Sequence, residues 1–338
     1  MKIHNATYEE RLSSTVSLCI LYCTGMVSCG LVVFLTFYGK LYQTRVNLLL
    51  VNVALADFLL NLTNLVWQPA NIMAESNNKW FLCDWCGWIT YITGLEASWF
   101  VPVVITNRYI SIFHQAAFKK IYTTRNIIYM ILCGWLVAII FVTPFQIGGV
   151  TGFEYQYQNC GLNTTEANPV WQIMVYALVV APTFLGNVVT AFCNLRIFQK
   201  LKEHAKSNSK LLKNNVMAQN KQLMYVTLLH TLFAVCLQSP YILGKLVPVV
   251  VEDNPLRQVF PCLYVFNGTI NPLTTLYVVK PYRRAFLKLI GRRTNEIDPK
   301  IPSMMEPTRK NEDHSRATRL EKTDCKYENS ELAEVDHY

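Results

Sequence analysis

The sequence predicts an all-α membrane protein, a seven-transmembrane helix bundle followed by an amphipathic eighth helix. Of its 338 residues, 52% are hydrophobic and 16% are charged, whereas a soluble domain usually carries about 25% charged residues. The tail from Gly291 onward is highly polar, so the preceding chain is more apolar than these averages. This contrast indicates a membrane domain with a polar tail.

Seven apolar stretches, separated by charged residues, justify the number of helices. They cover residues 14–38, 46–70, 82–112, 127–150, 167–195, 218–250 and 258–279. Each is long enough to cross a bilayer, and lipid leaves no partner for an unpaired backbone, so each should be a helix. The predicted organisation is an extracellular N-terminus (1–13), a seven-transmembrane domain (14–280), helix 8 (281–290) and a disordered cytoplasmic tail (291–338).

The distribution of lysine and arginine predicts the orientation. Loops on one side of the predicted membrane carry two basic residues, Lys79 and Arg257. Loops on the other side carry thirteen, namely Lys40, Arg45, Arg108, Lys119, Lys120, Arg125, Arg196, Lys200, Lys202, Lys206, Lys210, Lys213 and Lys221. Basic loops stay in the cytoplasm, which places the N-terminus outside. Glycosylation sequons at Asn5 and Asn163 fall on the same outer side. We therefore expect a multi-pass glycoprotein of the plasma membrane.

The sequence lacks the motifs that are typical of several other classes of protein. The net charge of +9 follows from the basic cytoplasmic side and favours contact with an anionic bilayer rather than a nucleic acid. The histidines do not cluster, and Cys83-x-x-Cys86 has no second pair, so no metal site is expected. Phosphate-binding loops and hydrolase motifs do not occur. We expect neither an enzyme nor a cofactor.

Polar residues inside the apolar spans need partners within the bundle, because a carboxylate near mid-bilayer costs at least ~2.5 kcal/mol. Asp57 lies in the second span, and Asn267 and Asn271 lie in the seventh. We expect these three to form a polar network, either a structural knot or a cation or proton site. Glu96 is a second carboxylate, in the third span, and its partner is not evident.

The cysteines and prolines add two further expectations. Cys160 is the one cysteine in the predicted outer loops apart from Cys83 and Cys86, and a disulfide is permitted outside the cell. We predict Cys83–Cys160, with Cys86 as the alternative partner. Pro182 and Pro240 should kink the fifth and sixth spans, which suits helices that move, although local packing irregularity is an equal alternative.

The chain carries a series of motifs that resembles the rhodopsin-like (class A) G protein-coupled receptors. The matching residues, in order, are Ala54-Leu55-Ala56-Asp57, Cys83, Asn107-Arg108-Tyr109, Trp135, Pro182, Pro240, Asn271-Pro272 and the helix-8 segment Tyr282-Arg283-Arg284-Ala285-Phe286. The resemblance covers about residues 14–290. Gln238-Ser239-Pro240 and the Val-Val-Lys-Pro-Tyr-Arg-Arg ending are similar to those of nematode serpentine chemoreceptors.

This resemblance implies a receptor that transmits the binding of an extracellular ligand, a small molecule or a peptide, to a heterotrimeric G protein. Asn107, Arg108 and Tyr109 would contact the G protein. By itself, Arg108 could equally be an interfacial anchor. A phosphorylated tail would bind arrestin. The resemblance also implies that Asp57, Asn267 and Asn271 could bind a sodium ion, although Ala97 stands where the family has a supporting serine.

The departures from the family pattern are specific. Asn107 replaces the acidic residue that precedes the arginine, and Asn220 stands at the opposing position on the sixth span. An ion pair cannot restrain Arg108 there, so we expect raised basal signalling. Thr90 replaces the aspartate of amine receptors and Val265 the retinal lysine of opsins, which disfavours both of these ligand classes.

Candidate pocket residues lie in the outer halves of the spans. They are Trp67, Gln68, Trp88, Thr90, Tyr91, Gln238, Tyr241, Lys245 and Tyr264. Lys245 could bind an anionic group of the ligand, or it could extend to the outer interface.

A seven-helix ligand-gated channel or transporter is the alternative function. Asp57 and Glu96 would then line a permeation path. The absence of an internal repeat argues against this alternative.

Overall fold

The computed structural model describes residues 8–73, 81–154, 159–162, 168–207 and 259–291, with Leu228, Leu229, Leu232, Phe233, Cys236 and Leu237. Most of the predicted sixth span lies outside the described residues, as does the tail from residue 292. Asn5, Asn163, Asn220, Gln238, Pro240, Tyr241 and Lys245 also lie outside them.

Helices occupy six of the seven predicted spans within the described part of the chain. They are α1 (Tyr8–Tyr38), α2 (Arg45–Met73), α3 (Phe81–Phe113), the short α4 (Gln115–Ile121), α5 (Thr124–Ile147), α6 (Pro169–Val175), α7 (Ala181–Ser207), α8 (Val259–Val278) and α9 (Lys280–Leu289). Five spans, formed by α1, α2, α3, α5 and the continuous α6–α7, are long and apolar enough to cross a membrane. The all-α membrane prediction is confirmed.

Helix α3 lies at the centre of the bundle. It packs against α2, α5 and α7, while α1 packs against α2 and α8. Leu49 of α2, Phe100 and Val104 of α3 and Ile127 of α5 form one buried cluster. The opposite face of α5 is apolar and open, with Leu132 60% exposed. An exposed apolar face of this kind is expected where the neighbour is lipid rather than protein.

The fifth span contains a feature that the predicted kink at Pro182 did not specify. A π-helical turn, Tyr176–Val180, joins α6 to α7. The amide of Ala181 donates to the carbonyl of Tyr176, one residue further back than in an α-helix. Pro182 has no N–H to donate and its ring crowds the preceding turn, so the wider turn accommodates it.

A two-stranded β-hairpin, which the sequence did not predict, covers one end of the bundle. β1 (Thr151–Glu154) pairs antiparallel with β2 (Asn159–Leu162), and Phe153 is opposite Cys160. Cys160 forms a disulfide with Cys83 at the start of α3. This confirms the predicted pairing. Cys86, the alternative partner, is a buried free thiol one turn further along α3.

The first and last helices begin at slightly different residues from the predicted domain boundaries. Helix α1 begins at Tyr8, within the segment 1–13 that was predicted to be an extracellular terminus. The exposed residues Tyr8 and Glu9 continue the helix beyond the apolar stretch. Helix α9 begins at Lys280, as an amphipathic helix with Pro281 in its first turn.

Candidate functional site

A cavity lies between α2, α3, the fifth span and α8, beneath the hairpin. Its lining among the described residues is mainly apolar, with a polar strip along α2. The polar and aromatic lining residues are Tyr22, Asp57, Asn61, Asn64, Gln68, Thr90, Tyr91, Ser98, Thr183, Tyr264 and Asn267. Four predicted pocket residues, Gln68, Thr90, Tyr91 and Tyr264, are therefore brought together. An apolar cavity with a few convergent polar groups is typical of a ligand site.

The polar strip comes from four residues on one face of α2, namely Asp57, Asn61, Asn64 and Gln68. Steps of four, three and four residues place side chains above one another on an α-helix. Asn61 and Asn64 were not predicted as pocket residues, and this spacing was the signal that could have identified them. A carboxamide strip inside an apolar helix is costly to bury and therefore must be hydrogen-bonded.

Gln68 attaches the hairpin to α2. The amide of Cys160 donates to Gln68 Oε1 at 3.0 Å, and Gln68 Nε2 donates to the carbonyl of Cys160 at 3.3 Å. Asn64 Oδ1 accepts from both Gln68 Nε2 and Thr90 Oγ1, at 3.1 and 3.3 Å. These bonds join the hairpin, α2 and α3 at the outer part of the cavity.

Two predicted pocket residues have other neighbours. Trp67 packs against the cluster of Cys83, Cys86 and Cys160. Trp88 Nε1 donates to Thr143 Oγ1 of α5 at 3.3 Å. Neither tryptophan is among the described residues that line the cavity.

Asp57 lies at the inner end of this cavity. Asn267 shares the same cavity, and Asn271 shares with Asp57 a second, smaller cavity further along the bundle. Asp57 is 6% exposed and Asn267 4% exposed. Asp57 therefore lines both cavities, and it shares the first with Asn267 and the second with Asn271.

Glu96 has a partner that the sequence did not reveal. Asn52 Nδ2 donates to Glu96 Oε1 at 2.9 Å, and Trp135 Nε1 donates to Asn52 Oδ1 at 3.0 Å. This chain of bonds links α3, α2 and α5. Gly134 leaves the necessary space, because a Cβ there would lie 2.8 Å from Glu96 Oε2. Glu96 therefore belongs to a structural contact between helices.

Asn107 and Arg108 lie at the other end of α3 from the hairpin. Arg108 is 6% exposed, and Ser111 Oγ donates to its carbonyl at 2.7 Å. Asn107 is fully buried, and neither polar atom of its carboxamide has a hydrogen-bond partner among the described residues. Tyr109 stacks on Phe113, with ring centroids 4.6 Å apart.

Comparisons with known proteins agree with this architecture. The chain is 24% identical over 196 residues to a melanopsin of Branchiostoma belcheri, a match that covers 56% of this chain and spans 27% of that protein. It is 21% identical over 294 residues to the mouse (Mus musculus) melatonin receptor type 1A, covering 82% of this chain and 81% of that receptor. The crystal structure of squid rhodopsin has the same fold, with a TM-score of 0.69, 18% identity, and coverage of 85% of this chain and 87% of that one.

The family model described as "7 transmembrane receptor (rhodopsin family)" matches residues 28–274. This match extends from α1 into α8, so it includes the disulfide, Arg108 and the described cavity residues other than Tyr22. The chain therefore belongs to the rhodopsin family of seven-transmembrane receptors.

Proposed function

We propose that this chain is a plasma-membrane receptor with an extracellular N-terminus that conveys ligand binding to a heterotrimeric G protein. One observation carries the proposal: α3 contributes to both the ligand cavity and the buried arginine site. Thr90 lines the cavity, and Arg108 lies eighteen residues further along the same helix. At 1.5 Å per residue, the two positions are roughly 27 Å apart. A rigid element that reaches both sites can couple them.

The proposed mechanism is a shift between two conformations. A ligand changes the equilibrium by as much as its affinity differs between the two states. The π-turn Tyr176–Val180 in the fifth span, and Pro240 in the predicted sixth span, are the proposed places of movement. Asn107, Arg108 and Tyr109 would then contact the G protein. Phosphorylated residues of the tail would bind arrestin.

The ligand class is open between a small molecule and a peptide. Relatives of comparable similarity are named as melatonin receptors and as a neuropeptide receptor of Caenorhabditis elegans, which is 21% identical over 257 residues. A chemosensory role fits the nematode-type features of the sequence. The amphipathic helix α9 and the basic loops would lie against the inner, anionic leaflet.

A ligand screen in cells that carry a promiscuous G protein reporter tests the proposal. Arg108→Ala should abolish the evoked signal at equal surface expression, because the buried cation would be lost from the G protein site. Arg125→Ala is the matched control, since Arg125 is bonded to the exposed Tyr129 on α5. An undiminished response from Arg108→Ala would contradict the proposed coupling site.

The same cells test the alternative function of a ligand-gated channel or transporter. The position of Asp57 in the lining of both cavities is the observation that favours it. A ligand-evoked current in cells without functional G protein would support a channel. Its absence, together with a G protein signal, would support the receptor.

A further inference from the structure

Three cysteines meet where the hairpin covers the bundle, and one of them is a free thiol. Cys83, Cys86 and Cys160 form a single buried cluster, in which Cys83 and Cys160 are linked. Cys86 is free and 0% exposed. A buried free cysteine is usually an inert packing residue. This one differs because it shares its cluster with a disulfide, and a thiol beside a disulfide can exchange with it.

The backbones of α3 and β2 approach each other closely beside Cys86. A Cβ built at Gly87 would lie 3.3 Å from the carbonyl oxygen of Gly161 and 3.4 Å from its Cα. Each of these glycines directly follows a cysteine of the cluster, Cys86 on α3 and Cys160 on β2. The hairpin therefore contacts α3 beside the free thiol as well as at the disulfide, one helical turn apart.

The spacing of Cys83 and Cys86 permits a bond between them. Residues three apart on an α-helix have Cα atoms about 5 Å apart, and disulfides usually join Cα atoms about 4.4–6.8 Å apart. The existing bond from Cys83 to Cys160 joins Cα atoms 5.3 Å apart. Cys83 thus has two possible partners at similar Cα distances. In a Cys-x-x-Cys pair of this kind, the second thiol can displace the partner of the first.

We propose that Cys86 is a resolving thiol, which exchanges the disulfide between α3 and the hairpin for one within α3. The Cys86 thiol loses its proton, and the thiolate attacks Sγ of Cys83. The Cys83–Cys86 bond forms, the Cys83–Cys160 bond breaks, and the Cys160 thiolate leaves and takes up a proton. One disulfide is broken and one is made, so no oxidant or reductant is consumed. Uncatalysed rearrangements of this kind take roughly minutes to hours.

The exchange changes what holds the hairpin over the ligand cavity. Cys160 lines the cavity, so its disulfide is a covalent link across the outer end. After exchange, the hairpin keeps its packing and the two hydrogen bonds between Cys160 and Gln68 of α2. These contacts are not covalent and can open. The position of the disulfide therefore sets how freely the hairpin moves, a property that goes beyond the proposed signalling and does not depend on it.

Trapping with N-ethylmaleimide tests the exchange on the purified full-length protein. The protein is incubated with the reagent for several hours without reductant, quenched in acid and mapped by mass spectrometry of its peptides. Molecules with an alkylated Cys160 and an intact Cys83–Cys86 bond should accumulate with time, because each alkylation removes an exchanged molecule from the equilibrium. A parallel sample, alkylated only after denaturation in acid, gives the fraction that had already exchanged.

Three variants identify the attacking thiol. Cys86→Ser should reduce alkylation of Cys160 to background and leave the Cys83–Cys160 bond in place. Cys193→Ser is the matched control and should exchange like the wild type, because Cys193 is another buried free cysteine, on α7 and outside the cluster. In Cys160→Ser, Cys83 and Cys86 should be found linked, which tests whether α3 accommodates their bond.

Four results would overturn the inference. Equal alkylation of Cys160 in Cys86→Ser and the wild type would show that Cys86 does not attack. A Cys86–Cys160 bond with a free Cys83 would contradict the proposed direction of attack. Wild-type protein that keeps only the Cys83–Cys160 bond in both samples, or free α3 thiols in Cys160→Ser, would make Cys86 a packing residue. None of these readouts requires a ligand or a G protein, so failure of the proposed coupling leaves the test intact.

Discussion

Asn107 is the residue at which this chain most clearly leaves its family's pattern. Its buried carboxamide makes no hydrogen bond among the described residues, and it adjoins the buried Arg108. An ion pair at this point would stabilise one conformation of the bundle. An uncharged Asn107 cannot form that ion pair, which supports the expectation of raised basal signalling.

We therefore predict that Asn107→Asp lowers basal second-messenger output by about two- to tenfold, since a charge-assisted contact to Arg108 would favour the inactive state. The measurement is reporter output without ligand at matched surface expression. Asn107→Ala is the control and should leave basal output near that of the wild type. Unchanged or higher output from Asn107→Asp would count against the idea.

A second prediction at this scale concerns Asn52, which bonds to both Glu96 and Trp135. Asn52→Ala would remove the partners of a buried carboxylate oxygen of Glu96 and of the part-buried indole N–H of Trp135. Each orphaned group costs ~1–3 kcal/mol, so the unfolding temperature of the purified receptor should fall markedly.

Trp135→Phe is the comparison for Asn52→Ala. It removes the indole donor but leaves the bond between Asn52 and Glu96 intact, so its loss of stability should be smaller. Equal losses for the two variants would show that the bond to Glu96 contributes little.

At the scale of elements, α9 packs against α1 through buried side chains, of which Tyr282 is the largest. Tyr282 is fully buried, and its hydroxyl lies 3.0 Å from Thr36 Oγ1. Burial raises the pKa of Tyr282 to about 12, so the phenol stays protonated and the bond persists at any ordinary assay pH. Amphipathic attraction to the bilayer is then not the sole force that positions α9.

Replacement of Tyr282 by alanine should accordingly destabilise the receptor by ~3–5 kcal/mol, the usual cost of deleting a buried aromatic side chain. Tyr282→Phe should cost about 1 kcal/mol, the contribution of its hydrogen bond. Both are measured by thermal unfolding. Tyr277→Ala, at a residue that is 77% exposed, is the control and should have little effect. If Tyr282→Ala proved as mild as this control, α9 would not depend on the contact.

At the scale of the whole molecule, the distribution of basic residues predicts that the hairpin end is extracellular. The sequons at Asn5 and Asn163 should then carry glycans, so treatment with a glycosidase that removes N-linked glycans should increase electrophoretic mobility. Asn5→Gln combined with Asn163→Gln should abolish this shift. Thr63→Ala, which destroys a sequon inside α2, is the control and should leave it intact. A persistent shift in the double variant would contradict the predicted orientation.

Much of the architecture follows from local sequence features. Apolar stretches, charge bias and single polar residues predicted the helices, their order and the residues that need partners, because lipid imposes length and hydrogen-bond requirements on each span separately. The pairing of Cys83 with Cys160 was also accessible, since few cysteines lie in the predicted outer loops. The π-turn and the β-hairpin could not be predicted, because amino-acid composition does not determine the local backbone conformation on which they depend.

The sequence by itself determined that this chain crosses a membrane repeatedly and that Asp57, Glu96 and Arg108 are unusual within it. Tertiary structure alone decided where each one lies and which groups surround it. Glu96 became part of a contact between helices because Asn52 and Trp135 face it, whereas Asp57 came to lie at the inner end of a cavity. The physical reason is that the sequence of one span shows that it contains a charged residue, and therefore a desolvation cost. The group that offsets this cost lies on another helix or on a ligand, which the sequence of that span does not show.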